Sequence, residues 1–309
     1  MKKFFCIAVI LVFLACMIGI LHAWNNPQEK DKKETSTFTF IFLTDIHLQP
    51  ERNATQGFLK AIEKINQLHP DFVITGGDLI MDALGEPFSR ADSLYNLYLE
   101  TQKYFKMHVY NTMGNHEIFG IYRHESGVDE SHPEYGEQMF VNRIGSGYYS
   151  FDYKDWHFMI LNSAEDTGNE SYIGLIDDEQ IEWIKQDIAG LDKQTPIVIS
   201  THIPFFTVYS QIYETAITAN DSSLVVINAK EVYDLFENYN LKLVLQGHLH
   251  TVEDISVNGT HFITGGAVSA DWWRGPHRGF EEGFVLIKVK NNNFDWEYID
   301  YGWEVIDEE

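Results

Sequence analysis

Five short polar motifs, each directly after an apolar stretch, contain the residue types that could do chemistry in this sequence. They are Asp45-Ile46-His47, Gly76-Gly77-Asp78, Gly114-Asn115-His116-Glu117, His202, and Gly247-His248-Leu249-His250. Imidazole nitrogens combined with carboxylate and amide oxygens suit divalent metal ions such as Mn, Fe, Zn or Co. The motifs therefore predict a metal site, in which a carboxylate such as that of Asp78 could bridge two ions.

The spacing inside two of the motifs supports this interpretation. Asp45 and His47 are two residues apart, and so are His248 and His250. In extended backbone, residues two apart project from the same side, so we expect each pair to face the same ion. Any one motif could also be an ordinary turn, because Gly-Asp pairs and Asx caps are common turn signals. All five follow predicted strands, and this favours a shared site over five unrelated turns.

Buried strands are predicted to position the motifs. The stretches before them are continuously apolar, which is typical of strands buried on both faces; they span residues 38–43, 71–75, 109–113, 196–201 and 241–246. Helical periodicity lies between them, as in Phe58, Ile62 and Ile65. Strand-like pieces without helices toward the C-terminus predict antiparallel hairpins. The sequence thus predicts an α/β sandwich with mixed sheets, in which ligands gather at the carboxyl ends of the strands.

Two long segments do not fit the core pattern. Residues 118–146 are rich in Glu, Gly, His and Tyr, and residues 205–223 mix aromatic with polar side chains. Loops of this length in a compact domain are usually functional lids or disordered. We expect a single domain over residues 38–303, followed by an acidic tail at residues 304–309.

Together and in this order, the motifs resemble those of the calcineurin-like metallophosphoesterases. The pattern D-x-H, G-D, G-N-H-E, H and G-H-x-H is complete, and the resemblance extends from about residue 38 to residue 301. It implies a four-layer αββα sandwich with the metal site at the C-terminal ends of the strands. It also implies two divalent metal ions (Mn, Fe or Zn), one held by Asp45, His47 and His250 and the other by Asn115, His202 and His248, with Asp78 bridging them.

The activity that the resemblance implies is hydrolysis of a phosphate ester. Two ions about 3.5–4 Å apart would lower the pKa of a bridging water, and the resulting hydroxide would attack phosphorus. His116 would be the general acid or a contact to the transition state, which is typically worth ~10²- to 10⁴-fold in rate. Glu117 is expected to support the ligands rather than to bind a metal ion.

Departures from sister families narrow the resemblance. Met81 stands three residues after Asp78, where purple acid phosphatases have a metal-binding tyrosine, so a purple Fe(III) site is not expected. The Asp-Arg-Gly continuation of protein Ser/Thr phosphatases is also missing. The motifs look like the branch that contains bacterial cyclic-nucleotide phosphodiesterases.

Several functions stay open within this resemblance. We expect a small phosphate ester as substrate, with a phosphodiester favoured. A phosphomonoesterase, a nucleotidase and a lipid-headgroup hydrolase are the enzymatic alternatives. A binding scaffold that retains the fold is the alternative from another class.

A tryptophan pair follows the last motif, in the segment Asp271-Trp272-Trp273-Arg274. An aromatic ring beside an arginine could stack on a base or sugar and pair with a phosphate. Trp273 and Arg274 are therefore candidate substrate contacts. The alternative is that one tryptophan packs in the core and that Arg274 is a surface charge.

Composition limits the partners of the chain. It has 46 acidic and 22 basic residues among 309, a formal net charge of −24, and no basic stripe that could neutralise a nucleic-acid backbone. We expect no nucleic-acid polymer as partner, whereas two bound divalent ions would make the site locally positive enough for a small phosphate ester. The chain has only two cysteines, Cys6 and Cys16, so a disulfide framework and a cysteine nucleophile are excluded in the rest of the chain.

The N-terminus has the pattern of a targeting segment. Two lysines precede an uncharged apolar run over residues 4–21, which is typical of a signal peptide or an uncleaved signal anchor. Residues 1–23 are predicted to form this segment and residues 24–37 a polar tether. We expect a periplasmic or extracellular protein that meets a membrane only through residues 4–21. Cleavage, lipidation and oligomeric state stay open.

Overall fold

The structure is a computed structural model that describes residues 36–306. The predicted signal segment, residues 24–35 of the predicted tether and residues 307–309 of the predicted acidic tail lie outside the described residues. Among the residues that are described, none of the helices combines the length and the apolar character needed to span a bilayer.

Strands and helices alternate through the described range. The strands are β1 Thr37–Leu43, β2 Phe72–Thr75, β3 His108–Tyr110, β4 Tyr149–Tyr153, β5 Trp156–Ile160, β6 Ala164–Asp166, β7 Tyr172–Gly174, β8 Pro196–Ser200, β9 Asn240–Gln246, β10 Val252–Val257, β11 Thr260–Gly265, β12 Gly283–Lys290 and β13 Asn293–Asp300. The α-helices are α1 Ala54–Leu68, α2 Phe88–Thr101, α3 Arg123–Ser126, α4 Gln138–Arg143, α5 Asp178–Ala189, α6 Tyr209–Tyr213 and α7 Ala229–Asp234. Short 3₁₀ helices occupy Gln102–Tyr104 and Asn115–Glu117.

Two mixed sheets form the centre of the fold. The first has the order β13-β12-β1-β2-β3, and the second has the order β10-β11-β9-β8-β5-β4. The strands β1, β2 and β3 are parallel, as are β5, β8, β9 and β11, whereas the outer pairs β12–β13, β10–β11 and β4–β5 are antiparallel. The strands β6 and β7 make a separate hairpin.

Alternating side chains of β1 show how the layers pack. Phe38, Phe40 and Phe42 belong to an aromatic core between the two sheets, which also contains residues of β2, β5, β8, β9, β11 and β12. Ile41 and Leu43 point the other way and share a core with α1. Burial of each such side chain contributes about 1.5–3 kcal/mol. Helices therefore cover the outer faces of a two-sheet sandwich, and the predicted α/β sandwich of mixed sheets is confirmed.

The strands before the motifs form largely as predicted, with one difference. β3 ends at Tyr110, three residues earlier than expected. After Tyr110, hydrogen bonds that involve side chains take the place of the backbone hydrogen bonds of the sheet. The Tyr149 hydroxyl donates to the Asn111 carbonyl at 3.0 Å, and the Thr112 amide donates to the Thr75 hydroxyl at 3.2 Å. The two long segments are partly helical, since residues 118–146 contain α3 and α4 and residues 205–223 contain α6.

Candidate metal centre

The five motifs meet at the carboxyl ends of β1, β2, β3, β8 and β9. Backbone hydrogen bonds join their loops: the Asp45 amide donates to the Gly77 carbonyl at 3.1 Å, and the His47 amide donates to the Asp78 carbonyl at 2.9 Å. The side chain of Asp45 in turn accepts from the His248 amide at 2.9 Å. The first, second and last motifs are thus held together before any ligand contact is considered.

The backbone at the ligands differs from the expectation. The predicted extended conformation of the D-x-H and H-x-H motifs is wrong, because Asp45, His47, His248 and His250 have φ values of 55°, 45°, 72° and 55°. Asp78 also lies in the left-handed region, with φ 49°. Such conformations cost about 1–3 kcal/mol each in residues other than glycine and occur mainly at functional sites. Tight left-handed turns, not strand alternation, bring the paired side chains together.

The first predicted ligand group is compact and buried. Ligand atoms of Asp45, His47 and His250 all lie within 4.8 Å of one another. The Nε2 atoms of the two histidines are 3.0 Å apart, and His250 Nε2 lies 3.2 Å from Asp45 Oδ1. All three side chains are almost fully buried. This is the set that the resemblance assigns to one ion.

The second predicted group lies beside the first. Ligand atoms of Asp78, His202 and His248 also lie within 4.8 Å of one another. His202 Nε2 is 3.1 Å from Asp78 Oδ2 and 3.0 Å from Asn115 Oδ1. Asp78 Oδ2 lies 3.7 Å from His47 Nε2 as well, so this carboxylate stands between the two groups, where a bridging ligand would be.

The chemistry of the facing atoms fits cations. The Nδ1 atoms of His202 and His250 donate to the carbonyls of Gly76 and Ala270, respectively. In a neutral imidazole this leaves a lone pair on Nε2, and those lone pairs face carboxylate and amide oxygens, which also only accept. Several acceptors within hydrogen-bond distance of one another require protons or metal ions between them. Two divalent ions would satisfy these facing acceptors.

The pKa values of the histidines indicate that protons would compete with cations for the imidazole nitrogens. Burial disfavours the charged form of His202, but the Asp78 carboxylate outweighs burial and raises the pKa of this imidazole to about 9. His250 has a raised pKa for the same reason, with Asp45 as its partner. Burial instead lowers the pKa of His248 to about 4. Without metal ions, a proton on His202 would pair this imidazole with the Asp78 carboxylate.

His116 is placed differently from the ligands. Its side chain is 21% exposed, and its Nδ1 donates to the Met81 carbonyl. Its Nε2 lies 3.8 Å from Asp78 Oδ2, and its ring centroid is 4.7 Å from that of His47. Because a carbonyl only accepts, Nδ1 holds a proton and Nε2 is the atom that can exchange one with a bound molecule.

Glu117 supports the loops and takes part in neither ligand group. Its Oε1 accepts from the amides of Leu79 and Ile80 at 2.8 and 3.1 Å. Its Oε2 accepts from the amides of Asp78 and Gly114 at 3.0 and 2.7 Å. This buried carboxylate ties the second motif to the third.

The structure corrects the expectation for the tryptophan pair. Trp273 is 1% exposed, and its indole N–H donates to the carbonyls of Ile46 and His47 at 3.0 and 3.1 Å, so it cannot reach a substrate from this position. Arg274 is exposed, forms an ion pair with Asp271 at 3.1 Å, and lies 5.6 Å from the ring of Trp272. Its contact with a substrate stays a prediction.

Three aromatic side chains around the centre are not among the predicted site residues. The ring centroid of Trp272 is 4.5 Å from that of His250, and the ring centroid of His277 is 5.7 Å from it. Tyr172 lies near His248, with 6.2 Å between ring centroids. These side chains come from loops and a hairpin, and their sequence positions have no ligand spacing that would mark them.

Comparison with known proteins agrees with the geometry. The model of the calcineurin-like phosphoesterase family matches residues 38–252, which is more than half of the chain. Purple acid phosphatase 15 from Arabidopsis thaliana is 30% identical over 147 residues, or 45% of this chain. The match spans about a quarter of that relative, 24% of its length.

Solved structures share the fold at low sequence identity. A dimetal phosphatase from Danio rerio has a TM-score of 0.58 at 14% identity, covering 86% of this chain and 99% of that one. A purple acid phosphatase from yellow lupin (Lupinus luteus) seeds has a TM-score of 0.54 at 18% identity, covering 86% of this chain and 52% of that one. With the ligand motifs converging as described and the family model matching across them, the chain belongs to the calcineurin-like phosphoesterase family.

Proposed function

We propose that the protein hydrolyses a small phosphate ester with the help of two divalent metal ions. The observation that carries the proposal is the buried set of mutually facing acceptors formed by the two ligand groups around Asp78. When bound, two divalent ions would lower the pKa of a water molecule and neutralise charge that develops on the phosphate. The relatives named as phosphatases support the same chemistry.

The chain's own residues supply orientation and a proton. Glu117 and the loop amides hold Asp78 in place, and Asn115 directs its amide oxygen at His202. The hydrogen bond to the Met81 carbonyl fixes the ring of His116, which leaves Nε2 facing the space beside Asp78. A proton on this atom can pass to the departing oxygen of the ester. His116 is 21% exposed and is not one of the predicted metal ligands, so its side chain is placed to meet a leaving group.

The charges around His116 favour a phosphodiester. Asp82 Oδ1 lies 3.7 Å from His116 Nδ1. Burial raises the pKa of Tyr172, and the negative charges of Asp78, Asp221 and Asp82 raise it further, so these carboxylates act on the ring that lies beside His248. A diester has one negative charge, whereas a monoester approaches two at neutral pH, since its second pKa is about 6. The second charge is more costly next to these carboxylates.

A substrate panel with variants tests the proposal. Wild-type protein with Mn²⁺ should hydrolyse a bis-aryl phosphate faster than the matching aryl phosphate. Asp78→Asn should lower kcat/KM by orders of magnitude, and His116→Ala should lower kcat by about 10²- to 10⁴-fold while metal content is retained. His69→Ala, an exposed histidine outside the centre, is the matched control. Full activity in Asp78→Asn would overturn the proposed site, and faster hydrolysis of the monoester would overturn the diester preference.

We propose further that the protein acts outside the cytoplasm. Support comes from the basic start and the uncharged run at residues 4–21 of the sequence. The test is the intact mass of the protein recovered from fractionated cells that express the full chain. Recovery in the soluble cytoplasmic fraction with an uncut N-terminus would contradict export.

A further inference from the structure

One loop forms hydrogen bonds to residues of the first ligand group. Residues 269–273 lie between β11 and β12. The amide and hydroxyl of Ser269 both donate to the Asp45 carbonyl, at 3.2 and 2.8 Å. The next carbonyl, that of Ala270, accepts from Nδ1 of His250. Two of the three ligands in this group are thus held by adjacent residues of the same loop.

The third ligand is held through Trp273. Its indole N–H donates to the His47 carbonyl at 3.1 Å, and its ring lies against α1 at Gly57. A methyl group added at Gly57 would come within 2.2 Å of this ring, so the indole is seated in close contact with the helix. The backbone position of His47 therefore depends on the same loop.

Trp272 covers the imidazoles of the group. Its ring centroid lies 4.5 Å from that of His250 and 5.8 Å from that of His47. The Nδ1 of His47 is buried and has no hydrogen-bond partner among residues 36–306. Metal-binding histidines normally donate this second N–H to an oxygen, which fixes the ring. In His47, packing against Trp272 and His116 takes the place of that hydrogen bond.

Backbone strain indicates that the loop conformation is imposed by its surroundings. Ala270, Trp272 and Trp273 have φ values of 41°, 49° and 68°. Three non-glycine residues in the left-handed region within four positions persist only where other contacts hold them.

Within residues 36–306, no tryptophan or tyrosine ring lies as close to His248 as Trp272 lies to His250. His248 is partly exposed, whereas His47 and His250 are buried. Its nearest aromatic neighbour outside the ligands is Tyr172, with 6.2 Å between centroids. The difference in cover concerns His248, because His202 of the same group is buried and its Nδ1 donates to the Gly76 carbonyl.

We propose that residues 269–273 position the Asp45–His47–His250 group, and that Trp272 sets the affinity of this group for its ion by fixing and covering the two imidazoles. The inference rests on the proposed two-metal function. Residues that support metal ligands in this way typically contribute 10- to 100-fold in metal affinity, because they orient the ring and control the access of water.

Titration of the metal-stripped full chain with Mn²⁺ by calorimetry tests the inference. Wild-type protein should show two binding steps. His47→Ala should remove the step of the first group, and His202→Ala that of the second, so that each step is assigned. Trp272→Ala should then weaken the first step by about 10- to 100-fold and change the second by less than about threefold.

Matched variants separate positioning from a loss of folding. Trp272→Phe keeps a ring over the histidines and should stay within about threefold of wild type. Trp183→Ala removes a partly exposed tryptophan from α5 and should change neither step. If thermal unfolding shows that Trp272→Ala is not folded, Trp273→Phe replaces it: this variant removes the N–H donor to His47 and should weaken the first step alone.

The outcomes distinguish the inference from the proposed function. A Trp272→Ala protein in which both steps are unchanged, or equally weakened, overturns the inference while the two-metal function stands. Failure of wild-type protein to bind Mn²⁺ in two steps, together with no phosphoesterase activity, overturns the proposed function instead.

Discussion

Glu117 offers a sharp test of how the loops of the metal centre are held. Its side chain is fully buried and accepts four backbone N–H groups, two at each oxygen. Burial raises the pKa of Glu117 to about 8, which alone would favour the neutral acid at pH 7. The hydrogen bonding contradicts a neutral acid, because each oxygen faces donors and neither has an acceptor for a carboxyl proton. We therefore expect a carboxylate in the folded protein.

Glu117→Gln distinguishes a carboxylate from a neutral acid at this position. The glutamine amide has the shape of the neutral acid, so the change would be nearly neutral if Glu117 were protonated. If it is a carboxylate, the new NH₂ group points at two backbone donors that lose their acceptor. Each such buried, unsatisfied donor costs about 1–3 kcal/mol, so the free energy of unfolding should fall by about 4 kcal/mol. For a domain of this size, that corresponds to a decrease in Tm of roughly 8–16 °C.

The assay is thermal and urea unfolding of the metal-stripped protein at pH 7. Glu63→Gln is the matched control, because Glu63 is exposed on α1 and the same substitution there should change stability by less than about 0.5 kcal/mol. A loss below about 1 kcal/mol in Glu117→Gln would refute the reasoning and show that the neutral acid is present.

Two further changes test other parts of the structure. Gly57→Ala in the interior of α1 would ordinarily stabilise the helix by about 1 kcal/mol. Here the added methyl would lie 2.2 Å from the Trp273 ring, so we expect the free energy of unfolding in urea to fall by about 1–3 kcal/mol. A gain in stability would contradict the close packing of Trp273 against Gly57. Mn²⁺ binding should release protons at pH 7.5, because the pKa of His202 is raised to about 9 and its imidazole holds a proton when no metal is bound. Affinity should accordingly rise as pH increases from 7 to 9, and calorimetry in two buffers of different ionisation enthalpy, showing no proton release, would disprove this assignment.

The strands and the ligand motifs could be predicted because their signals are local. A continuous apolar stretch such as residues 38–43 can only be a buried strand or a buried helix, and the polar motif after it marks its end. Parallel strands of one sheet deliver such ends to one edge, so the convergence of Asp45, Asp78 and Asn115, which follow β1, β2 and β3, follows from strand order. His202 follows β8 of the second sheet, so its place beside them depends also on how the two sheets pack. The mixed sheets were predicted for the same reason, since the hairpins near the C-terminus lack helices between their strands.

The backbone at the ligands could not be predicted, because left-handed turns depend on contacts with other loops. Asp45 and His47 adopt positive φ values while their amides donate to carbonyls of the β2 loop, 32 and 31 residues away along the chain. The burial of Trp273 could not be predicted from the sequence for a related reason. Trp272 and Trp273 are adjacent and chemically identical, and only the position of α1 and its Gly57 decides which ring enters the core.

The residues that hold the metal ligands in place differ from the residues that lie beside His116 and His248. The Asp45 carbonyl accepts from the Ser269 hydroxyl, and the Asp45 carboxylate accepts from the His248 amide. The Asp78 amide donates to the Glu117 carboxylate. Other side chains lie beside His116 and His248 without forming these hydrogen bonds. Asp82 Oδ1 is 3.7 Å from His116 Nδ1, and the ring centroid of Tyr172 is 6.2 Å from that of His248. Substrate selection in this chain should therefore depend on Asp82 and on Tyr172 of the β6–β7 hairpin, whereas metal affinity should depend on residues 269–273.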